Sequence, residues 1–443
     1  VFRISALGRQ RRGLHVAFPI GLAMAALGFS QAHAQTTTCV LSSPVTSWRL
    51  GASGNWGKAS NWTPGVVPNS ASTNVCITDE GPSTVTLNVN ATIKSLQLAN
   101  GVTPTGGNSL VISPNTTLTV AGTQIIDGGA IDITAGGGQN AVLKITNNVT
   151  TFADPLHYFV PGAAITLSSG SGGGIAMING AGYTLTNTGS FIQGAGVIGS
   201  DGMNFVNDWE LLANTPGGEL DVGSGGGSFT NGYFVEVAAG STLKVTADTM
   251  GFNQIGGETQ VYGELIVPHG FNNEATTTGV YNGKGVLEGT GTIVGNVYND
   301  GIFAGALTID GDLTMGSESE TDVYVSSPGG PALFEINGMA TLDGLLDATI
   351  SGVDNGVAVR VMDFSGSTGD FTAVDYEGNN CTPDGKDLWQ CAKGYLLEEK
   401  FVAGGLDLIP LGTPEPAAWA MMLVGLTAIG AALRCRRRGA LST

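Results

Sequence analysis

The chain has 443 residues, 36 acidic and 18 basic, for a formal net charge of −18. An excess of negative charge on this scale repels phosphate backbones and argues against nucleic acid as a partner. With 42 % hydrophobic residues and 70 glycines, the length suffices for a large core with many tight corners.

At the start, Arg3, Arg9, Arg11 and Arg12 precede an apolar run from Val16 to Phe29, followed by Ala32-His33-Ala34. A basic, then apolar, then small-residue order predicts a secretory signal peptide over 1–34, cut after Ala34 with Ala32 as the other small residue. With this leader and the tail from Pro414 set aside, ten basic residues face 35 acidic ones, a net −25. Such a surface serves solubility or weak cation binding. Cys39, Cys76, Cys381 and Cys391 suit an oxidising compartment. The local pairs 39–76 and 381–391 are the natural choice among the three connectivities that four cysteines allow. The absence of C-x-x-C gives zinc and redox chemistry no support.

Residues 35–109 are expected to form a capping module. Trp48, Trp56 and Trp62, followed by Pro64-Gly65 and Val67-Pro68, precede the first strands. Aromatic side chains covering the end of a strand stack protect edges that invite aggregation. The alternative is a sugar platform, since Trp48, Trp56 and Trp62 could stack on pyranose rings. The arrangement resembles the G-x-W … NW … G-x-x-P opening of many bacterial surface proteins.

Short alternating runs such as Thr84–Val89, Thr117–Val120 and Thr242–Val245 are β-branched and bounded by Gly, Asn or Asp, so the chain reads as all-β. Over 110–320 a unit recurs as Leu185-x-Asn187-x-Gly189, Phe205-x-Asn207-x-Trp209 and Phe229-x-Asn231-x-Tyr233, then at Asn253 and as Val297-x-Asn299-x-Gly301. A period in the twenties predicts a β-solenoid whose turns bury their inward side chains only by stacking. Asn tolerates left-handed backbone and hydrogen-bonds to the next Asn, so it is placed at the repeating corner. Phe205, Phe229 and Phe252 are expected to stack inside. The pattern resembles the right-handed parallel β-helix of bacterial surface proteins and autotransporter passengers. It is the resemblance, with the usual crossover rule, that implies the handedness.

Residues 321–413 are expected to form a C-terminal β module with a loop stapled by Cys381 and Cys391. Thr341–Ala348, Val357–Met362 and Gly369-Asp370-Phe371 are similar to the final passenger segment of autotransporters. No translocating barrel is expected, because a different tail follows. Pro414-Glu415-Pro416 and Trp419 lead an apolar stretch, Ala417 to Leu433, that is 17 residues long and ends in Arg434, Arg436, Arg437 and Arg438, with 439–443 as a short remainder. That stretch is long enough for a transmembrane helix, with the arginines on the cytoplasmic side. These parts together resemble the PEP-CTERM sorting signal of Gram-negative bacteria. The resemblance implies an exosortase-type processing enzyme as partner, transient anchoring in the inner membrane, and a final place at the cell surface, outer envelope or extracellular matrix.

Catalysis has weak support. Polysaccharide lyases share the parallel β-helix, but they need an Arg or Lys base, and between the two tags Arg49 and Arg360 are the only arginines. Asp300, Asp310 and Asp312 alternate with glycine and read as turn residues. Gly194-x-Gly196-x-x-Gly199 is followed by Ser200-Asp201-Gly202 where a dinucleotide-binding helix should begin. His157 and His269 have no partners at ligand spacing. The expectation is therefore a non-enzymatic structural or adhesive protein without cofactor or metal, with exopolysaccharide as a partner; a β-helical polysaccharide lyase or glycoside hydrolase is the alternative. All faces of the solenoid are expected to carry similar polar residues.

Overall fold

The computed structural model describes residues 39–411 except 50, 52, 79–81, 100–106, 153–162, 171, 248–250, 277–282, 326–331, 353–354, 386 and 392–394. The leader with Ala32 and Ala34, the tail from Pro414 and His157 lie outside the described residues. Among the described residues the only helix is a 3-10 turn, Ala59–Asn61. No helix there is long and apolar enough to cross a membrane.

Strands make up the rest of the regular structure. They stack as a β-solenoid of about 12 turns, and 42 of them hydrogen-bond into one continuous system. Each turn visits three parallel sheets, called here the first, second and third faces. Asn204–Asn207, Glu210–Ala213 and Glu219–Val222 make one turn; Phe229–Asn231, Phe234–Val237 and Thr242–Val245 make the next, each strand in register with its equivalent. Alternation explains the burial. In Thr242–Val245 the apolar Leu243 and Val245 point inward, while Thr242 and Lys244 point out. Corners demand glycine where one turn sits directly on another. At Gly257, φ is +69° and a Cβ would lie 2.0 Å from the Tyr233 carbonyl oxygen, so no larger residue fits.

Inside the first face, Leu185, Phe205, Phe229, Phe252, Phe271 and Val297 are in register. The successive phenylalanine ring centroids lie 5.5, 4.8 and 4.6 Å apart. Two residues further on runs a buried amide ladder. Asn187 Nδ2 donates to Asn207 Oδ1 (3.0 Å), and Asn207 Nδ2 to Asn231 Oδ1 (2.8 Å). Gln254 Nε2 donates to Asn273 Oδ1 (3.0 Å), and Asn273 Nδ2 to Asn299 Oδ1 (2.7 Å).

Two details of the expected repeat are corrected. The rung next to Asn231 is Gln254, not Asn253, which lies on the outer row and accepts from Asn272 Nδ2 at 3.1 Å. Phe271-x-Asn273 is a further rung, so the long gap before Asn299 holds a turn of its own. Nor do the ladder asparagines use left-handed backbone: among the described residues, the non-glycine positions with positive φ are Asn115, Glu377 and Asp387. Ladder residues end extended strands and bend the chain through side-chain bonds, as when Asn207 Nδ2 donates to the Trp209 carbonyl at 3.0 Å.

The coil also extends beyond 110–320 in both directions. Asn74–Ile77 already pairs in parallel with Leu96–Ala99, and Leu345–Ile350 with Ala373–Tyr376. At the N-terminal end Trp48, Trp56 and Trp62 are 5, 0 and 1 % exposed. Trp62 packs edge-on against both other indoles at 4.7 Å and donates from Nε1 to the Trp56 carbonyl at 2.7 Å. A Cys39–Cys76 bridge ties the segment before Val45–Trp48 to the strand Asn74–Ile77 that pairs with it.

At the C-terminal end four antiparallel strands, Asn379–Pro383, Leu388–Cys391, Leu396–Val402 and Gly405–Leu411, fold over the last turns. Cys381 and Cys391, directly opposite in register, are bridged. Beneath them Glu399 is 1 % exposed and accepts a 2.8 Å hydrogen bond from Trp389 Nε1. Burial pushes its carboxyl up to about 8, opposed by the Trp389 bond and reinforced by Asp370 and Asp387. The folded cap thus holds Glu399 protonated at neutral pH, whereas the unfolded chain ionises it near ~4.3. Its contribution to stability is full below the unfolded value and is lost as pH rises towards about 8. Glu399→Gln is expected to remove this loss. Its melting temperature should exceed that of the wild type by more at about pH 8.5 than at about pH 5; equal differences at both would refute the account.

Candidate functional site

The outer surface is where contact with anything else must occur, and parallel register decides what each face presents. Outward residues of the first face include Thr150, Thr186, Val206, Thr230, Asn253, Asn272 and Tyr298, aligned one above another without a charge. The third face carries both signs, with Lys144, Lys244 and Arg360 among Glu219, Asp221, Glu264 and Asp310.

On the second face one outward row holds Glu210, Glu258 and Glu320, and the adjacent row Glu236, Gln260, Glu288, Asp322 and Asp347. The described strands of this face contain no lysine or arginine. This corrects the expectation that the faces are alike: charge is sorted by face.

Crowding leaves a mark on the carboxyls. Burial, then Glu236, raises Glu210. Burial also raises Glu258, where a hydrogen bond from Gln260 opposes and Glu288 reinforces the shift. Gln260 Nε2 bridges the pair, donating to Glu258 and, at 2.9 Å, to Glu288. Beside this strip the Trp209 and Tyr233 rings stack with planes 4° apart and centroids at 5.1 Å. Tyr233 and Tyr262 are 36 and 40 % exposed, and burial together with the nearby glutamates raises both phenols. Further along, carboxylate oxygens of Glu320, Asp322 and Asp347 lie within 4.8 Å of one another, with Lys284 paired to Glu320 at 3.5 Å.

Residues singled out from the sequence fall elsewhere. The three indoles are interior and packed on one another, so Trp48, Trp56 and Trp62 present no open ring face to a sugar and serve as the plug. Asp300 and Asp312 cap neighbouring turns, accepting from the Glu318 and Met339 amides at 3.0 and 2.8 Å. Asp310 accepts from Asn337. Gly194 and Gly196 lie within the strand Phe191–Ile198, not at a helix start. Arg49 donates to the Ser60 carbonyl at 3.1 Å, and Arg360 pairs with Asp363 and Asp407 in the cap; neither arginine reaches the acidic face.

Residues 413–438 match the PEP-CTERM protein-sorting motif. No curated protein and no solved structure matches the chain. The motif implies an exported, envelope-associated protein handled by an exosortase. The chain is thus a β-solenoid that carries a PEP-CTERM sorting motif at its C-terminus.

Proposed function

We propose that the chain is a structural or adhesive component of the cell surface or extracellular matrix, acting by display rather than catalysis. Charge sorted by face on a stiff coil is the observation that carries this. An uncharged Thr/Asn row on one face and acidic rows on another, each aligned over several turns, offer many weak contacts whose sum becomes firm through multivalency. Exopolysaccharide is the partner, because a polymer can meet successive turns along one face. The full-length protein is expected to be retained on immobilised exopolysaccharide from its own host at low and moderate salt. Passage through that matrix without retention at either salt would overturn the proposal.

A further inference from the structure

We infer that the third face, close to the tryptophan plug, carries a groove for an anionic sugar polymer with Lys144 as its charge contact. The groove has a volume of about 520 Å³, and its lining is polar, with Thr92, Thr119, Lys144 and Asn179 along the floor and Asn69 and Asn90 beside them. The four floor residues are in register on successive turns. At ~4.8 Å per strand they form a track about 14 Å long. A polymer lying along the coil axis meets one new side chain at each step.

Three features select the ligand. Backbone amides on a sheet face are spent in the ladders, so a peptide has no free edge to extend; the available groups are hydroxyls, carboxamides and one ammonium. Asn69 and Asn90 use their oxygens to accept the Thr92 and Thr117 amides at 2.9 and 2.8 Å, which leaves their NH2 groups as donors towards sugar oxygens. Lys144 is exposed and has no hydrogen bond or ion pair to another described residue, whereas Lys284 pairs with Glu320 and Arg360 with Asp363 and Asp407. On a chain of net charge −18, an anion is repelled by the second face and meets an uncompensated cation here. The shared chemistry is a ring bearing a carboxylate or a sulfate ester.

This site rests on the display role proposed above and names a ligand class for it. The test titrates the full-length protein with oligogalacturonate, a sulfated oligosaccharide and a neutral cello-oligosaccharide of matched length. One or both anionic oligomers should bind more tightly than the neutral one, and the tighter of them identifies the anionic group. Lys144→Gln should weaken that binding about two- to fivefold, as expected for one exposed charged contact. It should leave the neutral oligomer and the melting temperature unchanged, and Lys144→Arg should retain affinity. Equal binding of all three oligomers, or undiminished anionic binding by Lys144→Gln, overturns the groove. If Lys144→Gln binds the anionic oligomers undiminished yet the wild type still holds the host polymer, the groove fails alone. A wild type that prefers an anionic oligomer but passes the host polymer without retention sinks only the display role.

Discussion

Phe229→Ala is expected to cost about 3–5 kcal/mol of stability, the range for deleting a buried aromatic ring. Phe229 is 1 % exposed and lies between Phe205 and Phe252, at 5.5 and 4.8 Å between centroids. Its loss removes the transfer energy of the ring and leaves a hole beside the Phe205 and Phe252 rings. Location magnifies the effect. Each turn of a solenoid touches only its neighbours, so a weak turn uncouples the two halves of the stack. Urea titration measures the loss, and hydrogen exchange should show faster opening around Thr184–Gln254 than at the capped ends. A cost below about 1 kcal/mol, the value for an ordinary surface change, would mean the phenylalanine column does not hold the coil together.

The second large effect is expected at Asn207. The two N–H groups on its Nδ2 are shared among Asn231 Oδ1, the Trp209 carbonyl and the Phe234 carbonyl at 2.8, 3.0 and 3.0 Å, and its Oδ1 accepts from Asn187. Asn207→Ala strands several of these groups in the interior. With about 1–3 kcal/mol for each unsatisfied buried group, partly offset by relaxation, a loss of roughly 3–4 kcal/mol is expected. Asn253→Ala is the control. Asn253 belongs to the same sequence pattern but sits on the outer row, so its replacement should cost less than about 1 kcal/mol. Chemical denaturation of the two variants side by side separates ladder from surface; equal losses would mean the interior amides are not what distinguishes the two positions.

How much of this was legible in the sequence follows from what each feature depends on. Strand type, the interior column and the tryptophan plug depend on local alternation and composition: Phe205-x-Asn207 announces the column within three residues, and Trp48, Trp56 and Trp62 announce the plug. The ladder was legible only in part, because corner lengths vary. Successive linked rungs lie 20, 24, 19 and 26 residues apart, and at Gln254 a longer amide replaces Asn. A search for Asn at a steady offset therefore stops at Asn253, one residue early, and passes over Asn273. The sorting of charge was not legible. Glu236, Gln260 and Glu288 share one row only after corner lengths, including the hairpin insertion Ala275–Thr276/Gly283–Lys284, have been subtracted. The groove around Lys144 depends on alignment across four turns with the same irregular offsets.

Stacking also sets height. About 12 turns at roughly 4.8 Å each make a rod roughly 60 Å long. The tryptophan plug closes one end and the stapled cap, whose strand Gly405–Leu411 lies just before the sorting motif at 413 in sequence, covers the other. Between Ala141–Ile145, which bears Lys144, and Val359–Gly369 under the cap lie nine strand spacings on the third face, roughly 40 Å. Held by its C-terminal end, as the display role proposed above would have it, the coil would stand as a stalk. The acidic strip lines its shaft, and the cationic groove sits near its tip, at the greatest reach from whatever holds the base.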